Sequence, residues 1–294
     1  MPTGVILKGI GGFYYVKTEQ GIIECKARGK FRKDDVSPMV GDHVEIEISA
    51  HDDGQGSIEN IFRRRNFLIR PPVANVDQLV IVASVSLPAP NILLLDKLLT
   101  VAAFNSLDMV ICFNKIDLDT KKEYLGLCDI YRTAGYHVIS TSSHTKEGIE
   151  ELRQALKGKI TAFAGASGVG KSSLLNTVDS RFKLQTGEIS KKIDRGKHTT
   201  RHVELLQLDE DSFVLDTPGF TSFELTNIRA EELPHLFKEY DDYYSSCKYR
   251  SCTHIKEPQC AIKKAVLEGK LSQSRYDSYS YLYNQLKDIK EWQR

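Results

Sequence analysis

The sequence predicts a multidomain protein made of a small all-β barrel, a central α/β domain and a C-terminal helical module that carries a metal site. Three observations predict this arrangement. Short strand-like segments separated by glycine turns come first, apolar strands then alternate with helices around a glycine-rich loop, and cysteine and histidine residues cluster near the end. We place the three domains at residues 1–68, 69–228 and 229–294.

The first domain is predicted to be a barrel because its strand-like segments are short and evenly separated. Gly11-Gly12, Gly21 and Gly41-Asp42 supply turn residues between them, and Pro71-Pro72 marks the end of the domain. Five short strands in under seventy residues suit a barrel of the oligonucleotide-binding (OB) type, and an SH3-like barrel is the alternative. The predicted strands cover residues 5–7, 13–16, 22–25, 44–48 and 57–61.

The central domain alternates strands and helices. Residues 79–85 form a near-continuous apolar run, as expected for a buried parallel strand. Residues 91–104 have helical spacing, with Asn91 placed to cap the first turn. Together these features predict a doubly wound α/β domain. Further strands are predicted at residues 109–113, 137–140 and 159–164, and an antiparallel pair at 203–208 and 212–216.

A phosphate-binding loop follows the strand at 159–164 and opens a helix. Its sequence, Gly-Ala-Ser-Gly-Val-Gly-Lys-Ser, allows backbone N–H groups and the helix N-terminus to surround phosphates. Lys171 is expected to contact the β- and γ-phosphates, and the Ser172 hydroxyl to ligate Mg²⁺. The residues assigned to this loop are Gly165, Ala166, Ser167, Gly168, Val169, Gly170, Lys171, Ser172 and Ser173.

A second phosphate-side motif, Asp-Thr-Pro-Gly, ends an apolar strand. Asp216 is expected on the Mg²⁺ side of the site, and Gly219 lets a backbone N–H approach the γ-phosphate. Thr199 and Thr200 lie between the two phosphate motifs, and one of them should ligate Mg²⁺ and sense the γ-phosphate. We favour Thr200 for that role.

The position after this motif holds Phe220, where Ras-like proteins place a glutamine that orients the attacking water. A phenyl ring cannot orient water by hydrogen bonding. His198, beside the two threonines, is the best local substitute and is our candidate catalytic residue; the alternative is an exposed loop histidine.

A guanine-reading motif, Asn-Lys-Ile-Asp, follows the strand at 109–113. The Asp117 carboxylate can accept from guanine N1–H and the 2-amino group together, whereas adenine offers no such pair, so the motif selects GTP over ATP. Asn114 and Lys115 complete the motif. The loop expected to support the base, at the end of the next strand, consists of Ser140, Thr141 and Ser142.

The order of these motifs is circularly permuted relative to an ordinary GTPase. The guanine motif precedes the phosphate loop by about fifty residues, although it normally comes last. A sheet needs adjacent strands rather than a particular chain order, so joining the old termini and opening the chain elsewhere preserves the site. The sequence therefore predicts a circularly permuted GTPase domain.

The C-terminal cluster combines three cysteines with one histidine inside fourteen residues. Three thiolates and an imidazole match a closed tetrahedral site for one structural Zn²⁺. The predicted ligands are Cys247, Cys252, His254 and Cys260. Basic and aromatic residues between them suit contact with RNA; these are Lys248, Tyr249, Arg250 and Lys256.

Composition restricts the protein's environment and partners. No apolar run approaches the roughly eighteen residues of a membrane helix, and the N-terminus lacks signal-peptide regions, so we expect a cytoplasmic protein with no membrane partner. The sequence gives no sign of an oligomer, so we take the protein to be a monomer by default. Net charge is only +1, but basic residues are grouped, which favours a polyanionic partner. The groups lie at residues 26–33, 63–65 and 191–201.

With these motifs in the same chain, the sequence resembles the ribosome small-subunit-dependent GTPase A (RsgA) family over essentially its whole length. The resemblance implies a GTPase that acts late in maturation of the small (30S) ribosomal subunit. It would bind the subunit and its rRNA in the GTP form, and subunit-stimulated hydrolysis to GDP would release it. Phe220 fits the slow unstimulated turnover that the family implies.

Two other functions remain open at this stage. One is a GTP-regulated RNA-binding chaperone that acts off the ribosome. The other is an RNA-modifying enzyme with a GTP switch, which is disfavoured because the sequence offers no second catalytic group of residues.

Overall fold

The structure is a computed structural model that describes residues 1–33, 36–49, 55–69, 71–184, 203–220, 225 and 227–289, without the side chains of 32–33, 69 and 216–220. The chain divides into two compact units. The first comprises Met1–Gln78, Arg153–Phe163 and Thr186–Phe220, and the second comprises Leu79–Leu152, Ala164–Gln185 and Thr221–Arg294. This grouping does not test the three domain boundaries given above, which stay a prediction.

The described residues contain thirteen strands and seven α-helices. The strands are β1 (Thr3–Ile10), β2 (Phe13–Thr18), β3 (Gly21–Ala27), β4 (His43–Ile48), β5 (Gly56–Ile61), β6 (Phe67–Ile69), β7 (Pro72–Ala74), β8 (Gln78–Ser84), β9 (Asp108–Asn114), β10 (His137–Thr141), β11 (Ile160–Ala164), β12 (Glu204–Gln207) and β13 (Phe213–Phe220). The helices are α1 (Lys30–Lys33), α2 (Ile92–Phe104), α3 (Tyr124–Thr133), α4 (Ile149–Leu156), α5 (Lys171–Val178), α6 (Ala261–Leu267) and α7 (Gln273–Asp288).

The N-terminal strands close into a five-stranded barrel. Their order is β1–β2–β3–β5–β4, and β4 returns to pair with β1. Strand β3 runs parallel to β5, while the other barrel pairs are antiparallel. The predicted OB-type barrel is confirmed. Its buried core consists of Ile6, Val16, Cys25, Phe31, Val44, Ile46 and Ile58.

The segment after the barrel is held by side-chain hydrogen bonds. Arg64 donates to both carboxylate oxygens of the buried Asp42, over 2.7 and 2.8 Å. Asn75, with a positive φ of 56°, donates to the carbonyl of Gly41 over 2.9 Å. Arg65 forms an ion pair with Asp77 at 2.7 Å. Two arginines of the basic run at 63–65 therefore fix the chain where the barrel ends.

The first unit also contains strands of the central domain. Its strand order continues from β1 through β12 and β13 to β11. Strands β12 and β13 form the predicted antiparallel pair. Lys8 of β1 is in register with Glu204 of β12, and their side chains form an ion pair at 3.6 Å.

In the second unit, β10, β9 and β8 are neighbours, and β9 and β10 are parallel. All seven residues of β8 are buried, which explains its continuous apolar sequence. The Asn91 side chain accepts from the backbone N–H of Leu94 over 3.0 Å, so Asn91 caps α2 as predicted. The predicted α/β domain is confirmed, and the doubly wound arrangement of its helices stays a prediction. Helices α3 and α4, which the sequence did not indicate, follow β9 and β10 along the chain.

The C-terminal region contains the helices α6 and α7, in agreement with the predicted helical module. Before them, residues 229–260 form short 3₁₀ turns and the cysteine-rich loop rather than α-helix. Pro234 lies at the start of the first such turn, and its missing N–H is compatible with a helix start but not a helix interior. Across the described residues, no helix combines the length and the apolar character needed to cross a membrane.

Candidate functional site

The glycine-rich loop joins the buried strand β11 to helix α5. Gly165 and Gly170 have positive φ values of 140° and 96°. A Cβ on Gly165 would lie 2.1 Å from the carbonyl oxygen of Val82, and one on Gly170 would lie 2.5 Å from Nδ2 of Asn114. Only glycine fits at these two positions without a shift of the surrounding chain.

The side chain of Lys171 folds over this loop. Its Nζ donates to the carbonyl oxygens of Gly165 and Ala166, over 2.8 and 2.9 Å. Partial burial lowers the pKa of Lys171 from its ordinary value. Ser172 and Ser173 are half-buried in the first turn of α5. The ammonium group, the loop N–H groups and the helix N-terminus thus form a surface suited to phosphate oxygens.

The guanine motif contacts the phosphate loop directly. Asn114 ends β9 fully buried, and its Nδ2 donates to the carbonyl oxygen of Val169 over 2.8 Å. Lys115 has a left-handed backbone, with φ of 66°. Its Nζ donates to the carbonyl oxygen of Gly168 over 2.7 Å and also to that of Leu87. The structure therefore brings together two motifs that lie about fifty residues apart in the sequence.

The Asp117 carboxylate is exposed, in the 3₁₀ turn that follows β9. Ser142 donates its hydroxyl hydrogen to Oδ1 of Asp117 over 2.5 Å. The same Ser142 oxygen accepts from the backbone N–H groups of His144 and Thr145, over 3.2 and 3.0 Å. The loop after β10 thus orients Asp117 while leaving its carboxylate open to a base.

Beneath this loop, Thr141 and Ser140 have distinct environments. The buried Thr141 hydroxyl donates to Oδ1 of Asn114 over 3.2 Å, and it lies 3.1 Å from Sγ of Cys112. Burial raises the pKa of Cys112 to about 12, so this group stays a thiol. Ser140 is half-buried, with its Oγ 3.4 Å from Sγ of Cys128. A cysteine inside an apolar strand carries no local signal that it contacts the loop beneath the base.

The remaining predicted phosphate-side residues are less fully described. Asp216 and Gly219 lie in β13, where Glu204 of β12 is the register partner of Asp216. His198, Thr199 and Thr200 fall outside the described residues, as does the basic group at 191–201. Their roles therefore stay predictions.

The four predicted metal ligands converge in the C-terminal region. The ligand atoms of Cys247, Cys252, His254 and Cys260 all lie within 4.8 Å of one another. Nδ1 of His254 faces this group, 3.3 Å from Sγ of Cys260 and 3.7 Å from Sγ of Cys247. His254, Cys252 and Cys260 are buried. Three soft sulfur donors and one imidazole at these separations fit a single tetrahedral Zn²⁺.

Burial shifts the pKa values of His254 and Cys252 when no cation is bound. It lowers the pKa of His254 to about 4, which leaves a neutral imidazole that can bind a metal. It raises the pKa of Cys252 to about 12, and a bound cation would lower that value through its own charge.

Glu257 organises the metal-binding loop. Its carboxylate accepts from the backbone N–H and the hydroxyl of Thr253, over 2.9 and 2.7 Å. It also accepts from the N–H groups of Ile255 and Lys256, over 3.2 and 3.1 Å. Glu257 lies between the predicted ligands His254 and Cys260, but the sequence carries no signal of its backbone partners.

Two family models match the chain. Residues 61–226 match the model described as RsgA GTPase, and residues 3–58 match the RsgA N-terminal domain. The chain belongs to the RsgA family. The resemblance drawn from the sequence motifs is therefore confirmed, and the protein is a member of a GTPase family.

Curated members of the RsgA family match over nearly their full length. One from Caldanaerobacter subterraneus subsp. tengcongensis, named small ribosomal subunit biogenesis GTPase RsgA, is 50% identical over 97% of this chain and 96% of its own. A relative of the same name from Alkaliphilus metalliredigens is 47% identical over 98% of both chains.

Two solved structures of the family share the fold. YjeQ from Thermotoga maritima is 39% identical, with a TM-score of 0.86 over 98% of this chain and 99% of that one. YloQ, described as a circularly permuted GTPase, is 41% identical, with a TM-score of 0.83 over 99% of this chain and 96% of that one. The circular permutation of the GTPase domain, predicted from the order of its motifs, is therefore confirmed.

Proposed function

We propose that this protein hydrolyses GTP to GDP and phosphate and acts in the late maturation of the small ribosomal subunit. The observation that carries the proposal is the direct hydrogen bonding between the guanine motif and the phosphate loop, Asn114 to Val169 and Lys115 to Gly168. One nucleotide would therefore contact both motifs at once. The names of the relatives, small ribosomal subunit biogenesis GTPase, supply the biological process.

Each part of the site has a defined task in this reaction. Asp117, oriented by Ser142, reads the guanine edge, and the N–H groups of residues 165–170 hold the phosphates. Lys171 leaves its loop carbonyls to contact the β- and γ-phosphates. Ser172 and Thr200 would hold Mg²⁺, near Asp216 and the N–H of Gly219. When bound, that ion neutralises charge on the phosphate oxygens.

The proposed cycle is controlled by the ribosomal subunit. The protein binds the small subunit in its GTP form, the subunit stimulates hydrolysis, and the GDP form dissociates. Turnover without the subunit is slow because Phe220 cannot orient water. His198, next to Thr199 and Thr200 in the sequence, would position the attacking water at the γ-phosphate.

The two flanking modules would supply the RNA contacts. The barrel places Lys26 over the ring of Phe13, with Nζ 5.0 Å from its centroid, and Lys8 over Tyr15 at 4.8 Å. In the Cys/His module, Lys248 lies 5.6 Å from the ring centroid of the exposed Tyr249. One structural Zn²⁺ would hold that module. We propose that the protein works as a cytoplasmic monomer.

Co-sedimentation with purified small subunits tests this function. The expected result is that the protein pellets with small subunits in the presence of a non-hydrolysable GTP analogue and stays in the supernatant with GDP. Large subunits serve as the matched particle control. GTP turnover should rise when small subunits are added. Nucleotide-dependent binding to free RNA, with no preference for the subunit, would instead indicate the chaperone that acts off the ribosome.

A further inference from the structure

Arg275 of α7 carries a charge deep inside the second unit. Its side chain is only 2% exposed. Nη1 donates to Oδ1 of Asp96 over 2.6 Å, while Nε and Nη2 donate to the two carboxylate oxygens of Glu239, over 2.7 and 3.0 Å. Asp96 is fully buried in α2. One guanidinium thus joins two carboxylates from separate parts of the chain, and removing it would leave both buried without a countercharge.

Aromatic rings enclose the same guanidinium. Its central carbon lies 4.5 Å from the ring centroid of Phe237, 5.3 Å from that of Tyr136 and 5.5 Å from that of Tyr131. Nη2 also donates to the Tyr136 hydroxyl over 3.2 Å, and Tyr131 donates its own hydroxyl hydrogen to Asp96 over 2.8 Å. This arrangement needs the flat, forked shape of arginine, which lysine lacks.

Two partners of Arg275, Asp96 and Tyr131, lie beside residues that neighbour the phosphate loop and the guanine motif. Asp96 follows Leu95, which lines a small cleft together with residues 165, 166 and 169 of the phosphate loop. The ring of Tyr131 lies 6.0 Å from that of Phe113, the residue before Asn114 of the guanine motif. A shift of α7 would therefore act on packed residues next to each motif.

Helix α7 also contacts the metal-binding loop, residues 247–260, through two tyrosines. The Tyr276 hydroxyl donates to the carbonyl oxygen of His254 over 2.8 Å. The Tyr279 hydroxyl donates to the carbonyl oxygen of Thr253 over 2.6 Å. Tyr279 is fully buried, and its ring packs 5.3 Å from Phe237, which also contacts Arg275. The same helix thus contacts the metal-binding loop through two tyrosines and, through Arg275, Asp96 of α2 and Tyr131 of α3.

We propose that Arg275 is a positioning residue through which metal binding at the Cys/His cluster and guanine-nucleotide binding strengthen one another. The inference rests on the proposed function, because it requires a guanine nucleotide at the site. A metal that orders residues 247–260 would fix α7 through Tyr276 and Tyr279, and Arg275 would in turn fix α2 and α3. Coupling of this kind is reciprocal, so each ligand must change the affinity of the other by the same factor.

The test uses the full chain and the two ligands Zn²⁺ and GDP. GDP affinity is measured by fluorescence with the cluster loaded with Zn²⁺ and after removal of Zn²⁺ by a selective chelator at constant free Mg²⁺. Zn²⁺ affinity is measured by chelator competition with and without GDP. We expect each ligand to improve the affinity for the other by about tenfold, within the usual range of such couplings.

Two variants separate coupling from folding. Arg275→Lys keeps the charge but loses the fork, and Tyr276→Phe combined with Tyr279→Phe removes only the two hydroxyls that reach the metal-binding loop. Both should bind Zn²⁺ and GDP, with the coupling factor reduced to about twofold or less. Tyr281→Phe is the matched control, because Tyr281 is 51% exposed on the same helix. It should keep the full coupling.

The outcomes are distinct. Equal GDP affinity with and without Zn²⁺ in the parent chain overturns the inference, and so does full coupling in either of the two variants. If removal of Zn²⁺ unfolds the parent, the test is the Zn²⁺ affinity of the Tyr276→Phe, Tyr279→Phe double variant, measured with and without GDP and compared with that of the parent. If the Zn²⁺-loaded parent fails to bind GDP at all, the proposed function fails rather than the coupling.

Discussion

Ser142 donates a hydrogen bond of 2.5 Å to the Asp117 carboxylate, and this bond joins the loop after β10 to the guanine motif after β9. The interaction uses one carboxylate oxygen and fixes the plane of the group. Because Asp117 is exposed, the remaining acceptor positions are open to a base. In the proposed function, the choice of nucleotide therefore depends on the Asp117 side chain.

Asp117→Asn should therefore reverse base preference. A neutral amide removes charge-assisted acceptance from two guanine donors, each worth about 1.5–3 kcal/mol. Xanthine nucleotide, with a carbonyl at C2, should then bind better than guanine nucleotide in equilibrium titrations. Asp129→Asn, an exposed carboxylate on α3, is the control. Unchanged GDP affinity in Asp117→Asn would contradict the assignment of the base site.

Gly170→Ala should weaken nucleotide binding. The new methyl would lie 2.5 Å from Nδ2 of Asn114 at a φ of 96°, so it would disturb the bond from Asn114 to Val169. We expect GDP affinity to fall at least tenfold, since backbone placement in this loop sets the phosphate contacts. Gly126→Ala in α3 meets open space and should leave affinity unchanged while stabilising the helix by up to about 1 kcal/mol. Equal GDP affinity in Gly170→Ala and the parent would rule out this steric argument.

Cys252→Ser should release one Zn²⁺ per chain. Metal binding at such sites contributes directly to folding, with apparent values of roughly 10–16 kcal/mol in small zinc-finger peptides. Metal analysis and thermal melting of the full chain measure both effects. Cys128→Ser lies outside the cluster and should retain the metal. Parent protein purified without chelator and found free of zinc would contradict the metal assignment.

Glu257 should make the stability of the metal-binding loop depend on pH. Hydrogen bonds from Thr253 and neighbouring backbone N–H groups lower the pKa of Glu257 from 4.5 to about 2, despite the opposing effect of burial. The folded carboxylate has the lower pKa, so its stabilisation is complete above 4.5 and is lost as pH falls through the interval down to about 2.

The measurement compares the parent with Glu257→Gln, both with a chelator so that metal loss does not contribute. The parent should have the larger free energy of unfolding near neutral pH, and the difference between the two should shrink below about pH 4.5. A difference that stays constant down to about pH 3 would show that the carboxylate charge does not stabilise the loop.

His198→Ala should leave GTP affinity nearly intact and reduce hydrolysis, most visibly when small subunits are present. Some group must place the attacking water, and Phe220 cannot. Misplacing the water should cost on the order of 100-fold in turnover, because positioning and electrostatics supply most of the catalysis in phosphoryl transfer. Single-turnover assays with and without subunits measure this. If the variant matches the parent, the group comes from rRNA or another part of the chain.

The sequence predicted those features that depend on local pattern. The apolar run of β8, the cap at Asn91 and the spacing of the four metal ligands are each contained in a short segment, and each is present in the structure. Local pattern did not predict contacts between distant residues. Arg275 and Asp96 are 179 positions apart, and a lone arginine in a polar helix looks like a surface residue.

The same limit applies to the basic run at 63–65. Charge density alone favoured a nucleic-acid partner, but Arg64 binds the buried Asp42 and Arg65 pairs with Asp77. A sequence does not reveal which of several cations will face an acid within its own chain. Glu257 was overlooked for a related reason, since its partners are backbone N–H groups that have no sequence signature.

The pairing of β1 with β12 has a consequence for dissecting this protein into parts. Removing the barrel would delete β1, and β12 would then lose the strand that pairs with it at Glu204. An uncovered strand edge offers unpaired N–H and C=O groups to neighbouring molecules and promotes aggregation. A truncated chain that precipitates would therefore report a newly exposed sheet edge. Keeping β1 attached, or placing a charged or proline residue in β12, is the practical way to obtain the central domain in soluble form.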